Sequence, residues 1–440
     1  MTKRILTMIL ASVIAITMQA QQSAPFEKPQ IAEPAFGDYS VSITSYGAIG
    51  DGIRLNTADI QKAIDETSAK GGGKVVIPAG VWLTGPITLK SNINLHLDKA
   101  AIVMFSRNHA DYPAKSDGKK VVSPINGEKI SNIAITGEGV FDASGDTWRP
   151  AKRSKFTDSQ WKQMLSDGGQ VIGDVIWPAG VNPKNDTRPY LMEIKGCTRV
   201  LIDGPTFQNS PMFVMCPRDC SNMIIRNIKV LNEWYAQNGD GIDLSNCTDV
   251  ILSNCMVSVG DDGICMKSSN PSPGVARLRN IWIENCTVYH GHGGFVIGSN
   301  TEGGMHNIYV TNCKFMYTDT GLRFKSARDR GGLVDNIFID GIYMKDIQNA
   351  AITFDTYYEN IPAGEKADKK AITDRTPHFT DISISNVVCN GAKQALYING
   401  LPEMPIENVT FNHVVIKAKT ATDEHFSRNI DKKGLHIITE

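Results

Sequence analysis

A basic surplus is missing: 45 lysines and arginines stand against 46 aspartates and glutamates, a formal net charge of −1. Nucleic acid is therefore not expected as the main partner, because nothing in that balance would neutralise a phosphate backbone. Only a local basic patch could serve an acidic polymer. Long apolar runs are also scarce. The one candidate, "ILTMILASVIAITM", is shorter than the roughly 18 residues a membrane span requires. It follows the basic "MTKR" and ends in "MQA", which offers small residues for cleavage, so residues 1–20 read as a secretory signal with Gln21 as the mature start. No cysteine closes that signal, so neither a lipid anchor nor any other membrane anchor is expected, and the chain should be exported to the periplasm or secreted. Tight two-residue hairpin turns are missing too, which argues against antiparallel sheets and propeller blades.

Cysteine is present, nine times, in an arrangement unlike a disulfide framework. Cys247, Cys255, Cys286 and Cys313 each follow an asparagine, as "SNC", "SNC", "ENC" and "TNC". That marks a repeat position, and a buried free thiol behaves as a small hydrophobe. At most one or two bridges are expected.

The repeat itself has the form N-I-x-I-x-N-C-x-V. It reads "NMIIRNIKV" from Asn222, "DVILSNCMV" from Asp249, "NIWIENCTV" from Asn280 and "NIYVTNCKF" from Asn307, and continues from Asn336, Asp381 and Asn408. The second residues, Met223, Val250, Ile281, Ile308, Ile337, Ile382 and Val409, are 27, 31, 27, 29, 45 and 27 apart. The 45 implies an insertion. Short β-branched runs broken by Asn, Asp or Gly at this period fit one coil of a right-handed parallel β-helix. The fold class is all-β, with the asparagines and cysteines expected as ladders inside the solenoid.

A second run per coil begins at Gly241, Gly263, Gly294, Gly321 and Ala351. Equivalent positions of a parallel solenoid stack about 4.8 Å apart. Asp240 then shares a phase with Asp262 and Gly293, and Asp261 with His292. Arg323 shares one with Asp243, and Lys325 with Lys267 and Asp355. Arg323 and Lys325 are two apart and project from one strand face. Three carboxyls, a histidine and two cations thus converge. Glycoside hydrolysis asks for such a set: one carboxylic acid to protonate the leaving oxygen and another group to activate water. Crowded like charges help keep one acid protonated, and the paired cations suit a substrate carboxylate.

Upstream, Asn56 or Thr57 can cap a helix carrying Ile60, Ala63 and Ile64, ending at Gly71–Gly73 and covering the open first coil. The chain divides into the signal and a single domain over 21–440. That domain comprises the cap and first coils over about 41–97, long loops over 105–190 and regular coils over 198–418. Trp148, Trp161 and Trp177 fall in the loops and Trp234 beside the acidic cluster, more as local packing than as sugar platforms.

The motifs "NGDGID" (Asn238–Asp243), "GDDG" (Gly260–Gly263), "GHGG" (Gly291–Gly294) and "RFK" (Arg323–Lys325) resemble those of glycoside hydrolase family 28, the polygalacturonase family, in order and separation. "GAIGDG" and the stretch from Ile77 to Leu97 are also similar to this family's N-terminal segment. The resemblance implies Asp261 as proton donor, Asp240 and Asp262 as the pair that activates water, and His292 as a residue tuning the acid. It further implies Arg323 and Lys325 as ligands for the galacturonate carboxylate, with Asn238, Asp243 and Gly293 around the substrate. Inverting hydrolysis of α-1,4-galacturonosyl linkages, no metal or other cofactor, and a monomer on an acidic plant polysaccharide are the expectations. Gly239 and Phe324 depart from the family's threonine and isoleucine without touching a reacting group. The long loops, with the insertion Asp355–His378, suggest exo action on oligogalacturonides. A hydrolase of rhamnogalacturonan or another decorated backbone is the enzyme alternative, and a β-helical pectate lyase a further one. A polysaccharide-binding adhesin is the non-enzyme alternative, though it has no use for stacked aspartates.

Overall fold

The computed structural model describes residues 24–116, 118, 120–184, 186–358 and 368–439; the expected signal lies outside the described residues. Each coil contributes three short strands to three parallel faces that run the length of the molecule. The repeat spacing translates directly into register. Met223 pairs with Val250, Val250 with Ile281, Ile281 with Ile308, Ile308 with Ile337, Ile337 with Ile382, and Ile382 with Val409. All seven are buried, stacking one aliphatic side chain per coil into a single continuous core. The second runs stack likewise, through Ile242, Ile264, Phe295, Leu322, Ile352 and Leu396. Glycine precedes these runs because the coil is tight there: a Cβ on Gly263 would lie 2.6 Å from Val288 and 3.0 Å from the Gly293 carbonyl.

All nine cysteines are buried and unbridged. Six of them form two ladders rather than one, while Cys216, Cys265 and Cys389 lie within strands outside both. Cys197, Cys220 and Cys247 occupy the turn after the first strand of a coil, and Cys255, Cys286 and Cys313 the turn after the second. The asparagines before them are left-handed, with φ of 53° at Asn246, 55° at Asn254 and 57° at Asn285, a conformation asparagine tolerates better than most side chains. The asparagines that open the repeat also depart from expectation, because their ladder runs along a left-handed kink near the start of the strand rather than inside the core. Asn280 donates to Asp249 (2.8 Å), Asn307 to Asn280 (3.1 Å), and Asn336 to Asn307, each half-buried.

Helix α1, Thr57–Ala69, covers the first coil with Ile60, Ala63, Ile64 and Thr67. Asn56 does not cap it through its side chain. That amide instead ties down the Ile49, Arg54 and Leu83 backbone. The expected loop region over 105–190 is partly regular: Ile125–Glu128, Ser131–Gly137 and Val140–Asp142 make a full coil. The irregular part is 143–191, which holds helix α2 (Asp158–Ser166) and a small antiparallel sheet. Trp148 is core here, stacked on His109 at 3.6 Å, whereas Trp234 is exposed. Regular strands continue beyond 418, to Thr439.

Residues 24–37 run as a strap along the outside of the coils. Phe36 and Ile31 pack on Ala134, Leu201 and Ile224, Glu33 pairs with Arg226, and Lys28 with Glu284 (2.6 Å). Phe26 ends it against Trp282, Tyr309 and Phe338.

Candidate active site

One row of turns, leading from the third strand of each coil into the first strand of the next, carries the expected residues. Loop 232–241 delivers Asp240, the next turn Asp261 and Asp262, and the next His292 and Gly293. The backbone binds them in register. Gly241 N–H donates to the Asp262 carbonyl (2.9 Å), His292 N–H to the Asp261 carbonyl (2.8 Å), and Asp262 pairs with Gly293. Arg323 lies three coils beyond Asp243 in one file, through Cys265 and Val296. One carboxylate oxygen from each of Asp240, Asp261 and Asp262 falls within 4.8 Å of the others.

Their surroundings push these acids apart. Asp262 is 2% exposed, and burial alone would raise its pKa; Lys325 Nζ (2.7 Å) and Arg323 Nη1 (3.0 Å) overcome that and hold it far below the ordinary carboxylate range. Asp240, equally buried, goes the other way. Desolvation and the neighbouring carboxylates raise its pKa well above normal despite Lys267 Nζ at 3.0 Å. Asp261 is the accessible acid, half-buried, with His292 Nδ1 3.0 Å from its Oδ1. That hydrogen bond raises the His292 pKa against the effect of its own burial, with Asp319 adding to it. A raised value means protonated His292 adds stability in full below about pH 6.5, lost as pH rises through the higher folded value. His292 is accordingly expected to titrate above pH 6.5 by its imidazole proton shifts and to fall back in Asp261→Asn; a midpoint that ignores this substitution would disprove the coupling.

Three expected substrate ligands are placed otherwise. Asp243 is fully buried and cannot touch a substrate; its Oδ1 accepts from Lys267 (2.9 Å), and burial raises its pKa. The Asn238 amide oxygen accepts from Arg188 Nη2 (3.2 Å), so this residue fastens its own loop. Gly293 is buried beneath Arg323 and gives clearance rather than a ligand. Arg323 and Lys325 meet one another through Asp262, each with donors to spare, and the Tyr358 ring lies 5.5 and 5.0 Å from their charged ends.

Other contributors were not singled out by sequence. Lys267 shares the phase of Lys325, and "CMK" repeats the two-residue spacing of "RFK", but phase alone assigns it no role. Burial works against its charge, but Asp243, Cys265 and Asp240 more than offset this and hold its pKa well above normal. Arg188, 1% exposed, and Arg149 come from the aperiodic loop 143–191 and grip loop 232–241 at the Gln237 carbonyl and at Asn232. No spacing pattern marks them.

Comparisons with known proteins identify the family. The model of "Glycosyl hydrolases family 28" matches residues 162–433. The chain belongs to glycoside hydrolase family 28. A second model, described as rhamnogalacturonase A/epimerase, pectate lyase-like, matches residues 40–100 of this family 28 chain. A probable polygalacturonase of Vitis vinifera is 28% identical over 413 residues, covering 88% of this chain and 77% of that one. An exo-poly-alpha-D-galacturonosidase of Dickeya chrysanthemi is 29% identical, covering 82% of this chain and 64% of its own length. Among solved structures, the hyperthermoactive exopolygalacturonase of Thermotoga maritima superposes with a TM-score of 0.77 at 28% identity, over 92% of this family 28 chain and 93% of that one.

Proposed function

We propose that this family 28 protein is an exo-acting polygalacturonase that hydrolyses α-1,4-galacturonosyl linkages of pectic oligosaccharides with inversion. The observation that carries the reading is the split among three crowded acids: Asp262 kept ionised by two cations while accessible Asp261 sits on His292. Asp261 gives its proton to the glycosidic oxygen as that bond breaks. Asp262 takes a proton from the attacking water, and Asp240, whose carboxyl favours the protonated form, holds that water. The remaining donors of Arg323 and Lys325 take the substrate carboxylate beneath the Tyr358 ring. Galacturonan is favoured over a neutral polymer because both cations stand beside the catalytic carboxyls with donors left over for a substrate carboxylate.

The three carboxyls are closer than the roughly 6.5–9.5 Å usual for inverting pairs. Clamped by two cations, however, Asp262 is a poor nucleophile, and water is the better attacker. Exo action is supported by loop 143–191, which builds up the cleft on the amino-terminal side, and by the names of the Dickeya and Thermotoga relatives. Export, as the residues 1–20 suggest, brings the enzyme to such a substrate.

Incubation with polygalacturonate and, separately, rhamnogalacturonan tests the reading. Expected are short products with little early loss of viscosity, no activity on the second polymer, and the β-anomer as the first product by proton NMR. Rapid viscosity loss defeats exo action, a first-formed α-anomer defeats inversion, and products absorbing as unsaturated uronides defeat hydrolysis.

A further inference from the structure

A cavity of about 750 Å³ opens on the same row of turns as the catalytic carboxyls, toward the amino-terminal coils. Its walls come from three turns of that row: Arg107 and His109 from 106–124, Phe156 and Met164 from 143–191, and Tyr235 from the loop that ends in Asp240. Two coils separate 143–191 from that loop, a distance of about 10 Å at the inter-strand spacing. The volume falls within the range of small-molecule ligand sites.

The charges in the lining are unequal in their satisfaction. Arg107 is clasped by Asp146 through two hydrogen bonds of 3.1 and 2.7 Å and is neutralised there. Asp167 is exposed and takes the Gln163 amide. His109 is held neutral further into the acid range by its burial. Arg149 differs from all of these. It is 4% exposed, makes no ion pair among the described residues, and spends one nitrogen on the Ser210 carbonyl and Asn232, while its buried Nε has no partner. Burial works against its charge, and Tyr235, Asp146 and Glu233 nearby do not make up the loss; an anion supplied by a ligand relieves that cost. Aromatic walls beside such a cation suit a sugar ring bearing a carboxylate.

We propose that this cavity is a second uronate-binding site, in which Arg149 receives the carboxylate of a galacturonosyl unit remote from the cleaved bond. The proposal rests on the galacturonan reading above and adds its chain-length selectivity. A chain too short to reach from the carboxyls to Arg149 gains nothing from the cavity; a longer one is anchored at both places.

The test measures calorimetric binding of digalacturonate and tetragalacturonate in an Asp261→Asn background, which prevents turnover. Arg149→Met removes the cation, and Ala179→Trp fills the cavity from its exposed rim without touching Arg149. Each is expected to cut the preference for tetragalacturonate over digalacturonate by about 10–100-fold, the range of one charge-assisted hydrogen bond. A preference that survives both substitutions overturns the proposal, including the case in which Arg149→Met weakens both ligands equally through loop 232–241. Failure of the galacturonan reading shows separately, as wild-type protein that binds tetragalacturonate but leaves polygalacturonate uncut.

Discussion

Asp262→Asn is expected to lower kcat on polygalacturonate by about 10²–10⁴-fold and to destabilise the fold at the same time. The rate loss is that of a general base, since an amide cannot accept the water's proton. The stability loss has a different origin. Arg323 and Lys325 are both buried against this one carboxylate, and an amide leaves their two positive charges facing each other. Removing one member of a buried ion pair costs about 3–5 kcal/mol, because the survivor stays desolvated and unpaired. The sign with pH follows from the depressed value of Asp262. Its contribution is complete above the unfolded carboxylate pKa of about 3.9 and is lost only as pH falls toward the folded value, so the variant is handicapped throughout the neutral range. Asp261→Asn is the informative comparison. Asp261 is half-buried, and its Oδ1 accepts from a partly exposed His292 and from the Asp262 backbone N–H, which an asparagine oxygen can still take, so the substitution should reduce turnover by at least about 10² while leaving the denaturant midpoint near wild type. Equal stability of the two variants, or wild-type turnover by Asp262→Asn, would contradict the division of labour between them.

Lys267→Met is expected to destabilise the fold by about 3–5 kcal/mol at pH 7, read as the denaturant midpoint. Its ammonium lies between Asp240 Oδ2 (3.0 Å) and Asp243 Oδ1 (2.9 Å), and the second oxygen of Asp243 is buried without any partner. Without the cation, both carboxyls can remain inside only as neutral acids. Their folded pKa values, already raised, rise further above the unfolded value, so folding takes up protons and stability is lost as pH increases. The deficit relative to wild type should therefore be larger at pH 8 than at pH 5. A pH-independent deficit would mean that packing of the lysine stem, not its charge, is what the coil needs.

The ion pairs around Asp262 and Asp243 show where sequence stops being readable. Register is legible because parallel stacking converts spacing into contact: positions 27 to 31 apart, or 45 apart across the insertion, meet in the chain of pairs from Met223 to Val409. The phases of Asp240, Asp261, Asp262, His292 and Arg323 came with it. Phase does not say which cation a carboxylate chooses. Sequence marks Arg323 and Lys325 as ligands for the substrate, yet their shortest contacts are to Asp262, and Asp243, expected around the substrate, is sealed behind Lys267. Those choices depend on side-chain directions across two or three coils. The cysteine pattern misled by economy: one Asn-Cys signature serves two different turns, because both need a left-handed residue followed by a small apolar one. Arg149 and Arg188 were invisible for the opposite reason, belonging to a loop with no period against which to align them.

The strap formed by residues 24–37 bears on how such a molecule comes apart. In a solenoid each coil touches only its neighbours, and stability is close to a sum of nearest-neighbour terms, so an end can peel off without disturbing the middle. Here Phe36 and Ile31 hold coils at Ala134, Leu201 and Ile224, while Phe26 holds coils as far along as Tyr309 and Phe338. Contacts made by one continuous segment connect stretches of the core that are otherwise independent. Fraying that reaches Ala134 loosens the grip at Phe338, and the reverse, so the strap turns a stepwise unzipping into a concerted event spanning the catalytic coils between them.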